Sequence, residues 1–318
     1  IVMVYLPLIL KRIFSALITL LIVSALIYGF LEMLPGDVAT RMLGRTATPE
    51  TLANLREQLG LNEPALKRYF LWLYNIFQGD FGTALTSKRP ITEILAPKIF
   101  NTLILSGCAF ILYLPLSFIT ALLQAYYKNK NIDISLSIIT LIILSLPDFI
   151  IGTIMIIVFV VVFPIFPAIS LVGEYSDFSE WFMALVMPSI TLALVMSVYA
   201  VRMLRDNLIE VLDSEYIFMA KLKGLSKSTV LIKHALPNAI IPTLNITALN
   251  LGFLIGGVVI VEKIFTFPGF GNLLIDSIKF RDLPLVEATI LIAAAFYIFA
   301  NLLTDILSII FNPKLRKQ

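Results

Sequence analysis

The chain has 318 residues, 59% of them apolar and only 14% charged, with a formal net charge of +3 and a mean hydropathy of +0.94. Soluble domains carry roughly 25% charged residues, so this composition excludes a water-soluble globular protein and points to an integral membrane protein. One cysteine, Cys108, excludes an intramolecular disulfide, and one histidine leaves little material for a histidine-based catalytic site.

Six apolar stretches reach the roughly 20 residues needed to cross about 30 Å of hydrocarbon. They run Ile13 to Leu31, Ile99 to Tyr127, Ile134 to Phe163, Met183 to Val201, Ala235 to Val261 and Ala288 to Phe311, and only Asp148 and Asp305 are charged within them. Helices satisfy their own backbone hydrogen bonds in lipid, whereas a membrane barrel would show alternating segments of about ten residues, absent here. The expected fold is therefore an all-α membrane protein with six transmembrane helices. By chain order it divides into an N-terminal segment with the first membrane helix (1–31), an outside helical segment (32–98) and a five-helix core (99–318).

At the N-terminus, Lys11-Arg12 precedes the first apolar run, but no small-x-small cleavage site follows, which favours a retained helix over a leader. The ten apolar residues before Lys11 either extend that helix or lie along the interface. Basic residues flank Lys11-Arg12, Lys128/Lys130, the segment from Arg202 to Lys233 and the C-terminal tail, so those parts and both termini are expected in the cytoplasm. Pro164 to Phe182 carries Glu174, Asp177 and Glu180 but no Lys or Arg, as expected of an outside loop.

Within the outside segment, Thr48-Pro49-Glu50 reads as an N-cap, a first-turn proline and a favourable acid, with Gly60 ending that helix. A second helix follows Asn62-Glu63-Pro64. Its Leu66, Tyr69, Phe70, Leu73 and Phe77 form one apolar face before Gly79-Asp80-Phe81-Gly82 breaks it. That face either rests on the chain's own bundle or meets a soluble partner.

Between the fourth and fifth apolar runs lies a polar insert, about 202–234. Asp213 or Ser214 can cap a short helix through Lys223, Gly224 can take the left-handed conformation that ends it, and Ser226 can cap a second short helix leading to Pro237. Two short angled helices along the inner surface are expected. Ile217, Met219, Leu222 and Leu225 suit either a groove on another protein or the lipid headgroups.

The fifth and sixth runs are joined by Glu262 to Gly271, where Pro268, Gly269 and Gly271 favour a tight turn that either forms part of an outer gate or is an ordinary loop. Polar residues inside spanning segments are costly and mark a pathway or an interhelical contact. Candidates are Asp148 beside the helix-breaking Pro147, Asn245, Asn250, Asn301 and Asp305, the last expected to pair with a basic neighbour.

No phosphate-binding G-x-x-x-x-G-K-[ST], H-E-x-x-H, C-x-x-C or G-x-S-x-G string occurs, so the chain is not expected to hydrolyse ATP or to be an enzyme. The net charge is explained by topology, and no basic-aromatic patch points to nucleic acid.

The insert resembles the loop of bacterial binding-protein-dependent ABC importer permeases, E-A-A-x3-G-x9-I-x-L-P: Ala220, Gly224 and Leu236-Pro237 match, while Phe218, Met219 and His234 depart from it. Glu215 lies one helical turn from the missing acid. Leu34-Pro35-Gly36-Asp37, Leu59-Gly60-Leu61, Gly79-Asp80-Phe81-Gly82 and Glu262 to Gly271 look like the dipeptide/oligopeptide/nickel permeases, in family order along nearly the whole chain.

The resemblance implies a type I importer bundle in the bacterial inner membrane. It also implies a second homologous permease, two ATPase subunits that use ATP and Mg, and an extracellular solute-binding protein; this chain itself would bind no cofactor and no metal. Glu215, Ala220, Leu222, Gly224, Leu225, Leu236 and Pro237 would form the ATPase-coupling loop, with Leu222 and Leu225 as buried anchors. Pro147, Asp148, Asn245 and Asn250 would line the path, and Glu262, Phe265, Pro268, Gly269 and Gly271 the outer gate or binding-protein contact. Sparse soft ligands favour a peptide cargo over a naked metal, with nickel or a metal chelate as the alternative. A self-contained secondary transporter would show inverted repeats, a membrane enzyme a catalytic constellation, and a plain scaffold no need of the insert.

Overall fold

The regular elements are helical throughout the residues described by the computed structural model, which are 2–33, 38–43, 48–58, 61–173 and 176–311; the side chains of 2–9, 38, 41, 42, 55, 58, 245, 255–257 and 305–311 lie outside that description. In chain order they are α1 (Val2–Glu32), α2 (Val38–Leu43), α3 (Pro49–Gln58), α4 (Ala65–Phe77), α5 (Ile91–Tyr126), α6 (Asn131–Ser145) and α7 (Asp148–Ile156). There follow α8 (Phe178–Leu212), α9 (Glu215–Leu222), α10 (Lys227–Thr229), α11 (Leu236–Ile264), α12 (Phe270–Lys279) and α13 (Leu283–Phe311). Wider π-helical turns, Ile157–Val162 and Val230–Ala235, extend α7 and join α10 to α11.

Leu10–Glu32, Ile91–Tyr126, Phe178–Leu212 and Leu283–Thr304 are each long and apolar enough to cross a membrane. Two bent pairs bring the number to the six expected when each pair is counted as one crossing. The third expected span, Ile134 to Phe163, is corrected by the structure: α6 and the α7 helix meet at 110°. Pro147 is the cause, because its ring disfavours the helical region for the residue before it; Leu146 is accordingly extended, at φ −97° and ψ 133°. Of the ten residues before Lys11, Val2 to Leu10 belong to α1, which favours the reading of a longer helix.

The chain forms two compact units, Ile1–Phe100 with Leu273–Phe299 and Asn101–Asn272 with Ala300–Gln318. In the first, α3 starts as its sequence dictates, with Thr48 Oγ1 accepting the Thr51 N–H at 3.2 Å. Helix α4 ends in a Schellman arrangement: Gly79 stands at φ +84°, and the N–H groups of Gly79 and Asp80 donate to Ile76 and Asn75 at 2.9 and 3.0 Å. The inner face of α4 meets α1 through a 2.8 Å Ser24–Tyr69 hydroxyl contact, rings of Tyr69 and Trp72 around Tyr28, and an Arg68–Glu32 ion pair. Asp282 caps α13 and accepts both the N–H and the hydroxyl of Thr86, at 2.9 and 2.8 Å.

The expected sticky face of α4 is thereby corrected. Tyr69 and Leu73 turn inward with Trp72 and Ile76, but Leu66, Phe70 and Phe77 are exposed. Nine consecutive residues from Tyr69 to Phe77 carry no charge, so the apolar period mixes two stripes on opposite sides of one helix.

In the second unit α8 is the central element. Asp177 caps it, accepting the Glu180 N–H at 2.8 Å. Its Met187, Leu192, Ala193, Met196 and Ala200 pack with Leu105, Ala109 and Tyr113 of α5 and with Leu254, Val258 and Val261 of α11. Further along, Leu204 and Leu208 join a second cluster with Ala121, Ala125 and residues of the insert. Cys108 is half-buried on α5.

Candidate functional site

The insert is built around Gly224. At φ +76° only glycine is unstrained, and the N–H groups of Gly224 and Leu225 close the end of α9 onto Lys221 and Ala220 at 3.0 and 3.5 Å. A Cβ on Gly224 would meet nothing within 4 Å, so the glycine answers a backbone requirement and not a close approach within the chain. Two capping expectations separate here. Ser226 does cap α10, accepting the Thr229 N–H at 3.3 Å, whereas Ser214 turns its hydroxyl back to the Val211 carbonyl and makes no side-chain cap on α9.

The second arm of the insert is not a separate short helix, which corrects that expectation. Thr229, Val230, Ala235 and Leu236 all hold helical dihedrals, so the chain is helical from Lys227 into α11, and the wide π turns of Val230–Ala235 directly precede Pro237, which has no N–H to give to the helical ladder.

The faces of the insert divide cleanly. Ile217 is 0% exposed and Ala220 is buried beside it, packed on Leu204, Leu208, Val230 and Ala235, so neither side chain is available to an outside groove. Leu222 and Leu225 are 65% and 39% exposed, and Phe218, Met219 and Glu215 share the open side. The two expected anchors are therefore uncovered by this chain, while Leu236 is half-buried and Pro237 exposed.

Several residues outside the sequence expectation fasten this arm. Tyr216 donates its hydroxyl to the His234 carbonyl at 3.1 Å and accepts Asn238 Nδ2 at 2.9 Å. Lys227 reaches the Tyr126 carbonyl, with its ammonium 4.5 Å from that ring's centre. Arg205 of α8 grips buried Asp133 of α6 with two bonds, Nε to Oδ1 at 2.8 Å and Nη2 to Oδ2 at 2.9 Å, and Asp133 also accepts the Asn129 N–H at 3.0 Å.

Such a bidentate pair fixes geometry as well as charge. Arg205→Ala is expected to cost about 3 kcal/mol by leaving the Asp133 carboxylate buried without its cation, whereas removing exposed Asp206 changes stability by less than about 0.5 kcal/mol. Thermal unfolding of the detergent-solubilised protein separates the two variants.

The bend at Pro147 opens a cavity of about 220 Å³ lined by Asp148, Leu146, Ile143, Met196, Tyr199 and Asn250 among others. Asp148 and Asn250, far apart in sequence, are thus brought together; Asn250 also donates to the Met196 carbonyl at 3.2 Å. The side chains of Asn245 and Asp305 lie outside the described residues. Asn301 packs on Gly252, 3.5 Å from where a Cβ would stand.

The Glu262 to Gly271 segment is a clasp. Glu262 is 0% exposed, accepts the Thr102 hydroxyl and, at 3.0 Å, the Asn272 N–H; Thr102 accepts the Phe270 N–H at 2.8 Å, and Asn101 donates to the Pro268 carbonyl at 2.9 Å. A Cβ on Gly269 would sit 2.0 Å from Glu262 Oε1, and one on Gly271 2.6 Å from the Val259 backbone. Both glycines therefore serve close packing. Phe265 is fully buried and its carbonyl accepts the Ser170 N–H at 2.9 Å. Of the residues expected at an outer gate or a binding-protein contact, Glu262 and Phe265 face the chain's own interior, while Thr266 and Lys263 occupy the exposed side of this turn.

Thr102, Asn101, Tyr216, Asn238 and the Arg205–Asp133 pair are the functional neighbourhood that sequence reasoning missed. Only the last left a signal, an acid and a base of opposite sign at the ends of two apolar runs.

Residues 114–317 match the family described as binding-protein-dependent transport system inner membrane component, and residues 5–94 match its N-terminal region. The chain belongs to this family. As an ABC importer permease it is a multi-pass transport component of the inner membrane that works with a binding protein and a partner ATPase. It is similar to a protein of Brucella abortus (strain 2308) named as a peptide transport system permease, 35% identical over 97% of this chain and 98% of that one. A similarly named protein of Brucella suis is 34% identical over 96% and 98%. The glutathione transport system permease protein GsiC of Escherichia coli (strain K12) is 33% identical over 97% and 98%.

Proposed function

We propose that this permease carries di- or oligopeptides across the inner membrane, paired with a second homologous permease, driven by two ATPase subunits and supplied by an extracellular solute-binding protein. Both termini and the insert face the cytoplasm, in keeping with the distribution of Lys and Arg. ATP and Mg act in the partner subunits, and this chain holds no cofactor of its own. The observation that carries the cargo reading is its near full-length similarity to relatives named for peptide and for glutathione transport.

In this reading the exposed Leu222 and Leu225 enter a groove on the ATPase, while Ile217 and Ala220 tie the insert to the permease interior. Displacement of the ATPase passes along the continuous α10–α11 helix. It passes also through Leu204, Arg205 and Asp133 into α6, toward the bend where Asp148 and Asn250 line the cavity. The Glu262 clasp stiffens the opposite end of α11 as a gate element.

Uptake in a deletion strain tests the cargo: di- and oligopeptides of graded length are expected to be restored by the chain, and restoration of nickel uptake alone would refute the peptide reading. Asp148→Asn is expected to reduce peptide uptake by at least about fivefold, equivalent to about 1 kcal/mol, with ATPase activity of the assembled complex retained. Unchanged uptake would remove Asp148 from the path.

A further inference from the structure

The first unit carries a knuckle made of two turns that lie 196 residues apart in sequence. Thr86 donates its N–H and its hydroxyl to buried Asp282, which pins the turn between Thr83 and Pro90 to the end of α12. One turn closes with the Lys88 N–H on the Ala84 carbonyl and the Ala84 N–H on the Arg89 carbonyl, both at 3.0 Å. The other is a Schellman stop, with the N–H groups of Arg281 and Asp282 on Ile278 and Ser277 at 3.1 and 3.0 Å. Each turn needs one residue in the left-handed region, and Lys88 at φ +58° and Arg281 at φ +54° hold those two places.

Glycine or asparagine fits such a backbone with less strain, so the turns themselves do not ask for a lysine and an arginine. Nor does the rest of the chain. Both residues are exposed, and among the described residues Lys88, Lys279 and Arg281 enter no ion pair; beside them, Arg89 is matched by Glu93 at 3.4 Å. Phe280 stands between Lys279 and Arg281, 65% exposed, with the Lys279 ammonium 5.9 Å from its ring centre. An exposed ring set among cations that the chain leaves unmatched suits a protein contact with an acidic counterpart. Lipid headgroups are the other anions to consider, and the helix lengths put the knuckle at their water side. Helix α5 starts at Ile91, eight residues before its apolar run opens at Ile99, and α13 at Leu283, five before Ala288. Their outer ends therefore rise about 12 and 8 Å above the hydrocarbon at about 1.5 Å per residue, whereas the headgroup layer is roughly 5–8 Å deep on each face.

We infer that Lys88, Lys279 and Arg281, with the ring of Phe280 among them, form a docking surface for an acidic patch on the soluble binding protein. The inference rests on the binding-protein-fed permease proposed above, with this end of the first unit outside. Attraction between opposite charges at such a surface speeds encounter and is screened by salt, a signature that a merely structural side chain lacks.

The test uses the assembled transporter in phosphatidylcholine nanodiscs, which carry no net charge, and follows ATPase activity as cargo-loaded solute-binding protein is added. Lys88→Gly with Arg281→Gly is expected to raise the half-saturating concentration of binding protein at least about tenfold at low salt and to flatten its salt dependence, with the maximal rate kept. The unfolding temperature should not fall, because glycine takes a left-handed φ without strain. Lys88→Arg with Arg281→Lys keeps both charges and should dock as the wild type does; Lys67→Ala, which removes a cation from α4, should change nothing. Either glycine variant alone, expected to cost about threefold, serves if the pair does not assemble. An unchanged half-saturation, an equal loss with Lys67→Ala, or a lowered unfolding temperature overturns the inference. So does an effect that appears only when phosphatidylglycerol is added to the discs, which would assign the cations to headgroups. Failure of the binding protein to stimulate even the wild type would instead refute the proposed function, and this inference with it.

Discussion

Replacing Gly269 by alanine is expected to destabilise the permease by about 3 kcal/mol, the upper end for overpacking a close-packed site. The added carbon would fall 2.0 Å from Glu262 Oε1 and 2.2 Å from its carboxyl carbon, well inside contact distance. Glu262 has no free volume to retreat into, because Thr102 and the Asn272 N–H hold its two oxygens and none of the residue is exposed. Glu262→Ala should cost a similar amount, since it strands the Asn272 N–H and the Thr102 hydroxyl at about 1–3 kcal/mol per buried unsatisfied group. The double variant should be at least about 1 kcal/mol more stable than the summed singles predict, because truncating Glu262 clears the space that the new methyl needs. Thermal unfolding of the solubilised complex measures all three; strict additivity would show that the carboxylate does not fill the Gly269 face.

The second large effect separates the two faces of the insert. Leu222→Asp and Leu225→Asp place charge on side chains that the permease leaves open, so its own unfolding temperature should hardly move. Capture of the ATPase should fall roughly 30-fold, the equivalent of about 2 kcal/mol for a desolvated anchor, and transport should fall with it. Ile217→Asp should do the opposite, since a 0% exposed side chain packed on Leu204 and Leu208 cannot accept a carboxylate without unfolding the insert. Quantitative co-purification beside a melting curve distinguishes them. Wild-type ATPase recovery with Leu222→Asp and Leu225→Asp together would exclude this face as the contact.

Much of the architecture was legible because lipid imposes one rule on every crossing, a long apolar helix. Pro147 was legible as a helix breaker, but the 110° angle it makes was not: it stands inside thirty residues in which Asp148 is the one charge, and hydropathy does not register an angle. Glycine chemistry was readable at Gly224, where the demand is on the residue's own backbone. At Gly269 and Gly271 the expected tight turn forms, with the Gly269 N–H on the Phe267 carbonyl at 2.8 Å, but the further demand from Glu262 and Val259 as neighbours in space was not readable. The clasp was illegible altogether, since Thr102 lies 160 residues from Glu262 and looks like any hydroxyl in an apolar run. For α4 the period found a face but could not choose one, because both sides satisfy it.

The helical path from Lys227 to Leu254 leaves Gly224 as the one left-handed joint between α8 and α11, and α11 bends only beyond it, by 48° between Ile246–Leu254 and Val258–Ile264. A push on the exposed leucines therefore has no slack in which to dissipate on the α11 side. Torque that arrives there is carried along the helix as far as its 48° bend, so that the lever and the part of the crossing up to Leu254 are a single piece.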